Sequence, residues 1–309
     1  MKPVRPAVFS GSDLIRGGWE AGPGGTDLKR LIVSTGLTFP SVALGYSART
    51  GAKAISAEIS RLLAGLGLNV FLPKSPVPIM ALSLELGRRS MPLGLYLDES
   101  VEGKWSLLPL ALHGGPVDDE NLPLENPAPL ARNGVVGEID LLGNYLCKVE
   151  GLLDPYAEAK VKLSSLDIPF PELERGIKEP KALGLIKARD PKGPRAIIDP
   201  SGQGLTIVNP DGTLMSTDSM VKTIGEYLTR ARSASGAVVC PNGKRELGAS
   251  WGEVTEINGD GLEMSHVAGF VNLLFGWWEG GIIAHQGHGP FGDALLTLGY
   301  LLEAWSWDR

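Results

Sequence analysis

Ser41–Leu72 reads SVALGYSARTGAKAISAEISRLLAGLGLNVFL, and its punctuation decides the fold class. Ser41–Tyr46 (SVALGY) is a short apolar strand, and Ser47–Gly51 turns the chain. Ala52–Leu66 then carries apolar residues at Ile55, Ile59, Leu62, Leu63 and Leu66. That spacing lines one face of a 3.6-residue period, so the segment is an amphipathic helix. Gly67 suits its C-terminal cap, because glycine tolerates the left-handed backbone that ends a helix. Asn69–Leu72 (NVFL) is the next strand. Pro76-Val77-Pro78 leads into a second helix, Ile79–Arg88, and Pro92–Leu97 forms a third strand running into the polar turn Asp98-Glu99-Ser100. Strand, helix, strand, helix, strand with short connections predicts a mostly parallel sheet with helices on its faces.

Outward from this unit the pattern breaks and then returns. Gly114–Gly134 is rich in proline, asparagine and acids and reads as an irregular crossing. Glu138–Leu153 predicts a helix, whereas Asp154–Pro194 has no convincing strand–helix unit. Arg195–Asp199 and Leu205–Val208 are short strands flanking the turn Pro200–Gly204, and Asn209–Gly212 is a further turn. The last third alternates again. Helices are expected over Asp218–Arg230 and Asp293–Trp305, with strands at Gly236–Cys240, Gly252–Ile257, Val271–Trp277 and Gly280–Ala284.

Composition narrows the function class. The 309 residues carry 29 Lys+Arg against 35 Asp+Glu, a formal net charge of −6, with 43% hydrophobic and 21% charged residues. Disordered, collagenous and disulfide-rich classes are excluded. An acidic balance lacks the electrostatic footprint of a nucleic-acid binder. No apolar run reaches the roughly 18 residues of a membrane span. Met1–Ser12 has no apolar core of a signal peptide, so a cytoplasmic protein is expected. Cys147 and Cys240 stand in no metal or redox spacing and read as small buried hydrophobes.

Few residues are marked for chemistry by spacing alone. His285 and His288, with Asp293 nearby, read either as part of a metal site or as loop histidines bonded to backbone; we take the second reading. His113 and His266 take the same reading. There is no G-x-S-x-G elbow of a hydrolase, and Ser10-Gly11-Ser12 lacks the Lys-Ser/Thr ending of a phosphate loop. Ser100 ends an apolar strand, where an open α/β sheet presents ligand-facing groups. Asp98, Glu99 and Glu102 surround it with negative charge.

The order of these pieces resembles the α-D-phosphohexomutases, the phosphoglucomutase/phosphomannomutase family. Phe9–Gly17 (FSGSDLIRG) resembles the family's Phe-Gly-Thr-Ser-Gly-x-Arg-Gly signature, and Leu44–Thr50 (LGYSART) its Gly-Arg-Asp-Thr-Arg turn. Gly94–Gly103 (GLYLDESVEG) falls on the catalytic-serine loop, whose pattern ends Thr-Ala-Ser-His-Asn-Pro. Asp199–Gly212 (DPSGQGLTIVNPDG) lines up without a gap on the metal loop Asp-Gly-Asp-Ala-Asp-Arg and the strand after it. Phe275–Gly281 (FGWWEGG) resembles the sugar-reading Gly-Glu-x-Ser-Gly loop, and Gly292-Asp293 the family's Arg/Lys-Asp-Gly.

The resemblance implies an α/β fold of two mixed, mostly parallel α/β/α sandwich domains joined by a reduced middle segment. Its divisions would be 1–134 (domain I-like, with the Ser100 loop), 135–215 (a reduced domain II-like segment) and 216–309 (domain III-like), without the family's phosphate-gripping fourth domain. It places Ser100 at the phosphoserine position, with Arg16 and Arg49 as catalytic-site cations. Trp278, Glu279 and Asp293 would bind substrate, and Asp199 is the one metal carboxylate left. Val101, Glu102 and Gly103 replace the His-Asn-Pro after the serine; Ser201 and Gln203 replace two metal carboxylates; Gly204 replaces the arginine. A divalent hard cation would be held poorly by one carboxylate, a hydroxyl and an amide.

The expectation is therefore a phosphohexomutase-like protein without mutase turnover, acting as a binding or assembly partner. No cofactor is expected, and Mg²⁺ only if the chain is a working mutase. Two alternatives stay open: a phosphosugar mutase with a remodelled site, and a non-catalytic carbohydrate or sugar-phosphate binder using Trp277 or Trp278. Expected partners are a sugar phosphate and a second copy or another protein, with neither nucleic acid nor membrane. The C-terminal Trp305-Ser306-Trp307 is expected to cover the middle segment or a second subunit.

Overall fold

The computed structural model describes residues 6–10, 41–101, 104–117, 133–158, 160–177, 186 and 189–307. The chain forms two compact units, Met1–Leu141 and Leu142–Arg309.

In the first unit, strands β1 (Ala7–Ser10), β2 (Ser41–Tyr46), β3 (Asn69–Leu72), β4 (Leu93–Val101), β5 (Lys104–Ala111) and β6 (Val136–Glu138) make one sheet. Its order is β1-β5-β4-β2-β3-β6. β4, β2, β3 and β6 are parallel, while β5 and β1 add an antiparallel edge. Helix α1 (Ala52–Gly65) buries Ile59 and Leu63 against Val42, Leu44 and Tyr46 on one face. Helix α2 (Ile79–Arg89) covers the other face. There Gly94 admits Leu86 so closely that a Cβ on it would lie 2.6 Å from the leucine Cδ1. Gly67 takes φ 97°, the left-handed backbone expected after α1.

The second unit holds two sheets. One is β7 (Ser165–Asp167), β8 (Arg195–Ile198) and β9 (Leu205–Val208), with β7 parallel and β9 antiparallel to β8. The other runs β11 (Glu253–Ile257), β10 (Ala237–Pro241), β12 (Leu273–Trp278) and β13 (Ile282–His285), parallel except for the β12–β13 hairpin. Helices α3 (Leu142–Leu152), α4 (Pro171–Ile177), α5 (Thr217–Glu226), α6 (Arg245–Gly248), α7 (Gly261–Ala268) and α8 (Ala294–Ser306) complete it. The α/β class with mostly parallel pairing is therefore observed. Ser216, Asp260 and Asp293 cap α5, α7 and α8 by accepting from backbone N–H groups of the first turns.

Several expectations are corrected. Asp98-Glu99-Ser100 is not a turn, because β4 runs on to Val101 and pairs with β5, a strand the sequence pattern does not reveal. The Glu138–Leu153 helix begins only at Leu142, because Val136–Glu138 adds a parallel strand beside β3. Cys147 is exposed: α3 buries Leu142, Tyr145 and Val149, and position 147 lies on the opposite side. The C-terminal end of α8 does meet the middle segment, with the Lys160 N–H donating to Ser306 Oγ at 3.0 Å.

Gly94→Val puts three carbons into the space of Leu86. We expect a loss of about 1–3 kcal/mol in urea unfolding, whereas the same change at the open Gly65, with nothing within 4 Å, should cost little, valine being the better helix former.

Candidate functional site

The first unit gathers its polar groups at the carboxyl edge of β2 and β4. The turn after β2 uses Gly51 at φ 91° and carries Arg49, whose Nε lies 4.0 Å from Asp98 Oδ1 on β4. Both side chains are partly exposed, so this is a loose pair worth little on its own. Glu99 faces Trp105 across the hairpin and Val101 faces Lys104, leaving Ser100 as the extra residue of a β-bulge. Bulges re-aim side chains and break the ladder locally, which is a common device beside binding sites. Ser47, which stands where the resemblance expects aspartate, is buried with no hydrogen-bond partner for its hydroxyl. Spacing could not single it out. Arg16 lies outside the described residues.

Asp199 follows β8 and closes the loop to β9 on itself. Its Oδ1 accepts from Ser201 N at 2.9 Å, Ser201 Oγ at 2.8 Å and Gln203 N at 3.1 Å. Its Oδ2 accepts from Gly204 N at 2.9 Å. Four donors therefore surround the carboxylate that the resemblance offers to a metal. A Mg²⁺ ion needs near-octahedral oxygen ligands at about 2.0–2.1 Å and takes one or two free carboxylates. Here the neighbouring side chains are a hydroxyl and an amide, and the hydroxyl donates to Asp199. Among the described residues no group of three or more His, Cys, Asp or Glu could hold a metal. The residues of this loop do not fit Mg²⁺.

The β8–β9 loop and the β12–β13 turn are brought together. Gly204 bridges to Ile282, and a Cβ on Gly204 would lie 2.9 Å from the Gly280 carbonyl oxygen. A Cβ on Gly281 would lie 2.0 Å from the Leu205 carbonyl oxygen, and its φ of 72° also favours glycine. Trp277 is buried and packs near Phe275. Trp278 is half-buried against the core that includes Met264, and Glu279 is exposed at the turn.

Asp293 is completely buried. Its Oδ1 accepts from Leu296 N at 2.9 Å and from Tyr145 OH at 3.0 Å, and its Oδ2 accepts from His288 Nε2 at 2.6 Å. Burial alone would raise its carboxyl; the His288 ring and these hydrogen bonds outweigh burial and hold it below the usual range. Burial, and then the Asp293 charge, push the Tyr145 hydroxyl well up, so it stays a donor. His285 Nε2 and Thr297 Oγ1 are 2.7 Å apart. Both rings thus bond to buried side chains rather than to backbone, which corrects the loop-histidine reading. Burial pushes His285 down to about 3, the Asp293 charge partly opposing and His288 assisting.

No family model and no curated protein matches the chain. Solved structures do. A Thermus thermophilus structure assigned as a phosphomannomutase superposes with TM-score 0.68 at 21% identity, covering 90% of this chain and 75% of that one. A phosphoglucomutase/phosphomannomutase family protein from Burkholderia thailandensis gives 0.71 at 13%, covering 98% and 76%. The exocytosis-sensitive phosphoprotein pp63/parafusin, a phosphoglucomutase from Paramecium in its open form, gives 0.68 at 12%, covering 100% and 73%. The chain has the phosphohexomutase fold.

Asp199→Ala removes the acceptor for Ser201, Gln203 and Gly204. We expect a loss of about 1–3 kcal/mol in chemical unfolding and no Mg²⁺-dependent rise in melting temperature for either protein. A carboxylate kept open for a cation would give the reverse: little loss on removal, and a Mg²⁺ stabilisation that disappears with it. For His285, the folded value lies below the unfolded value of about 6.5, so the unfolded chain takes up the proton first. Its contribution is fully present above about pH 6.5 and is lost as pH falls toward 3. His285→Gln should flatten that part of the stability–pH curve, measured as urea midpoints.

Proposed function

We propose that this phosphohexomutase-fold chain does not turn over as a mutase and serves as a binding or assembly partner. The observation that carries the reading is the Asp199 loop, whose carboxylate accepts from four donors of its own loop. Phosphoryl transfer depends on neutralising charge over the transferred group and on positioning it. At the Ser100 bulge, Arg49 stands beside Asp98, and Lys104 on β5 lies opposite Val101. Removing one electrostatic stabiliser costs about a hundred- to a thousandfold in rate. By the resemblance, the serine's neighbours and two metal carboxylates are replaced, and Trp278 stands where the sugar-reading glutamate is expected, with Glu279 one place off.

The turn between β12 and β13 supports a second, compatible reading. Half-buried Trp278 beside exposed Glu279 offers an apolar ring with a hydrogen-bond acceptor next to it, the combination that receives the face and hydroxyls of a hexose. Ser100, Arg16 and Arg49 would then mark an inherited site rather than a working one, and Asp293 would hold the turn from beneath.

Purified protein incubated with glucose 1-phosphate, a trace of the hexose bisphosphate and Mg²⁺ should give no isomerisation above the buffer control. Its intact mass should contain no phosphoserine. Metal-dependent conversion, with a phosphorylated Ser100 peptide, would overturn the proposal in favour of a remodelled mutase. Tryptophan fluorescence titrated with hexose phosphates should saturate in the native protein and lose its response in Trp278→Phe.

A further inference from the structure

A well-formed cleft of the first unit lies away from the Ser100 edge. It has a volume of about 820 Å³ and is lined by Arg88, Arg89, Phe71, Met91, Leu112 and Ile139, among others. It lies by the start of β2 and β4, the end of that sheet opposite the β4–β5 hairpin. The volume falls within the range of small-molecule sites, about 300–1,000 Å³.

Its polar wall is built around a buried carboxylate. The Glu85 side chain is 2% exposed, whereas those of Arg88 and Arg89 are 50% and 41% exposed. Arg88 donates to Glu85 through Nε at 2.8 Å and Nη2 at 2.5 Å, and Arg89 donates through Nε. That bonding raises the Arg88 guanidinium above its ordinary value, the Glu85 hydrogen bond being the largest cause. One carboxylate thus orients two guanidinium forks, leaving one positive charge in excess. Arg88 Nη1 and both Nη atoms of Arg89 remain for a ligand. Among the described residues no aspartate or glutamate lines the cleft. The α2 C-terminus alone would attract cations to its last turn, but that attraction does not call for a buried acid bonding both of them. A pre-oriented pair of forks matches the oxygens of a carboxylate or phosphate.

The rest of the wall is apolar. Phe71 and Leu112 are partly and largely exposed, and Met91 and Ile139 floor the cleft. We propose that this cleft binds an organic anion, its phosphate or carboxylate on Arg88 and Arg89 and its apolar body against Phe71, Met91 and Leu112. The site is separate from the proposed sugar-binding turn, which lies in the second unit, and does not rest on it.

Phenyl phosphate is a suitable probe, followed by isothermal titration or by ligand-observed NMR. We expect saturable binding that weakens as salt is raised and is at least about tenfold tighter than that of inorganic phosphate, a difference of about 1.4 kcal/mol. Benzoate in place of phenyl phosphate separates a carboxylate preference from a phosphate preference. Leu112→Glu places a carboxylate at the exposed rim, and Arg89→Gln leaves the Arg88–Glu85 fork intact. Each should weaken phenyl phosphate about tenfold or more, Leu112→Glu with an unchanged thermal midpoint and Arg89→Gln with a lowered midpoint but a still cooperative transition. Absence of saturable binding by both aromatic anions would overturn the proposal. So would equal affinity for inorganic phosphate, or full binding by both variants, which would put the anion elsewhere on the protein.

Discussion

One carboxylate organises the second unit. Asp199 gathers the N–H groups of Ser201, Gln203 and Gly204, and this fixes where the loop's carbonyls point. The Gly202 carbonyl then accepts from Ala294 N at 3.0 Å, the first residue of α8, while Gly204 bridges to Ile282 at the start of β13. Next to that contact Asp293 caps α8 and receives Tyr145 and His288. A short loop and a buried cap thus join β8, β13, α3 and α8 through polar bonds that burial makes costly to break. The same geometry decides the chemistry. A carboxylate used as a loop acceptor keeps few open lone pairs for a hard cation, so structure and metal binding compete for the same oxygens.

The fold is largely legible because its strands and helices announce themselves by period. β2 and β3 are legible to the residue, and α1 and α2 to within one residue of their ends, since a single apolar stripe packs each helix on one sheet face. β5 escapes the pattern for a physical reason. Its buried residues Trp105, Leu107, Pro109 and Leu110 break strict alternation, and a proline argues against a strand. α7 escapes it although Asp260 followed by Glu263 is a capping signal, because its eight residues make too short a stripe to stand out.

The site is less legible, because it depends on contacts between segments far apart in sequence. Motif order locates the Ser100 hairpin, the Asp199 loop and the Trp278–Gly281 turn, and the structure brings the last two together. Nothing in the spacing could reveal that Asp199 would accept from its own loop, since the aspartate has the same letter in either role. Asp293 has the same ambiguity: beside a glycine it reads as a substrate ligand, yet it lies at the bottom of α8 with every oxygen engaged. Glu85 with Arg88 and Arg89 has the spacing of an ordinary charged helix end. Only the sheet surface beside them makes a cleft.

Electrostatics then separates the two ends of the first sheet. At the carboxyl end, where open α/β sheets usually take their ligands, the described residues include Asp98 and Glu99 beside a loosely held Arg49, with Lys104 opposite Val101. A dianion arriving there meets repulsion that solvent must screen, and each like charge at about 4 Å costs on the order of 1 kcal/mol even in bulk water. At the amino end, two guanidiniums are held in place by a single buried acid, and among the described residues no further carboxylate lines the space between them and the apolar wall. Binding an anion costs less in ordering there, because Glu85 already holds both guanidiniums. The comparison of the two edges rests on one rule: anions settle where fixed donors outnumber fixed acceptors.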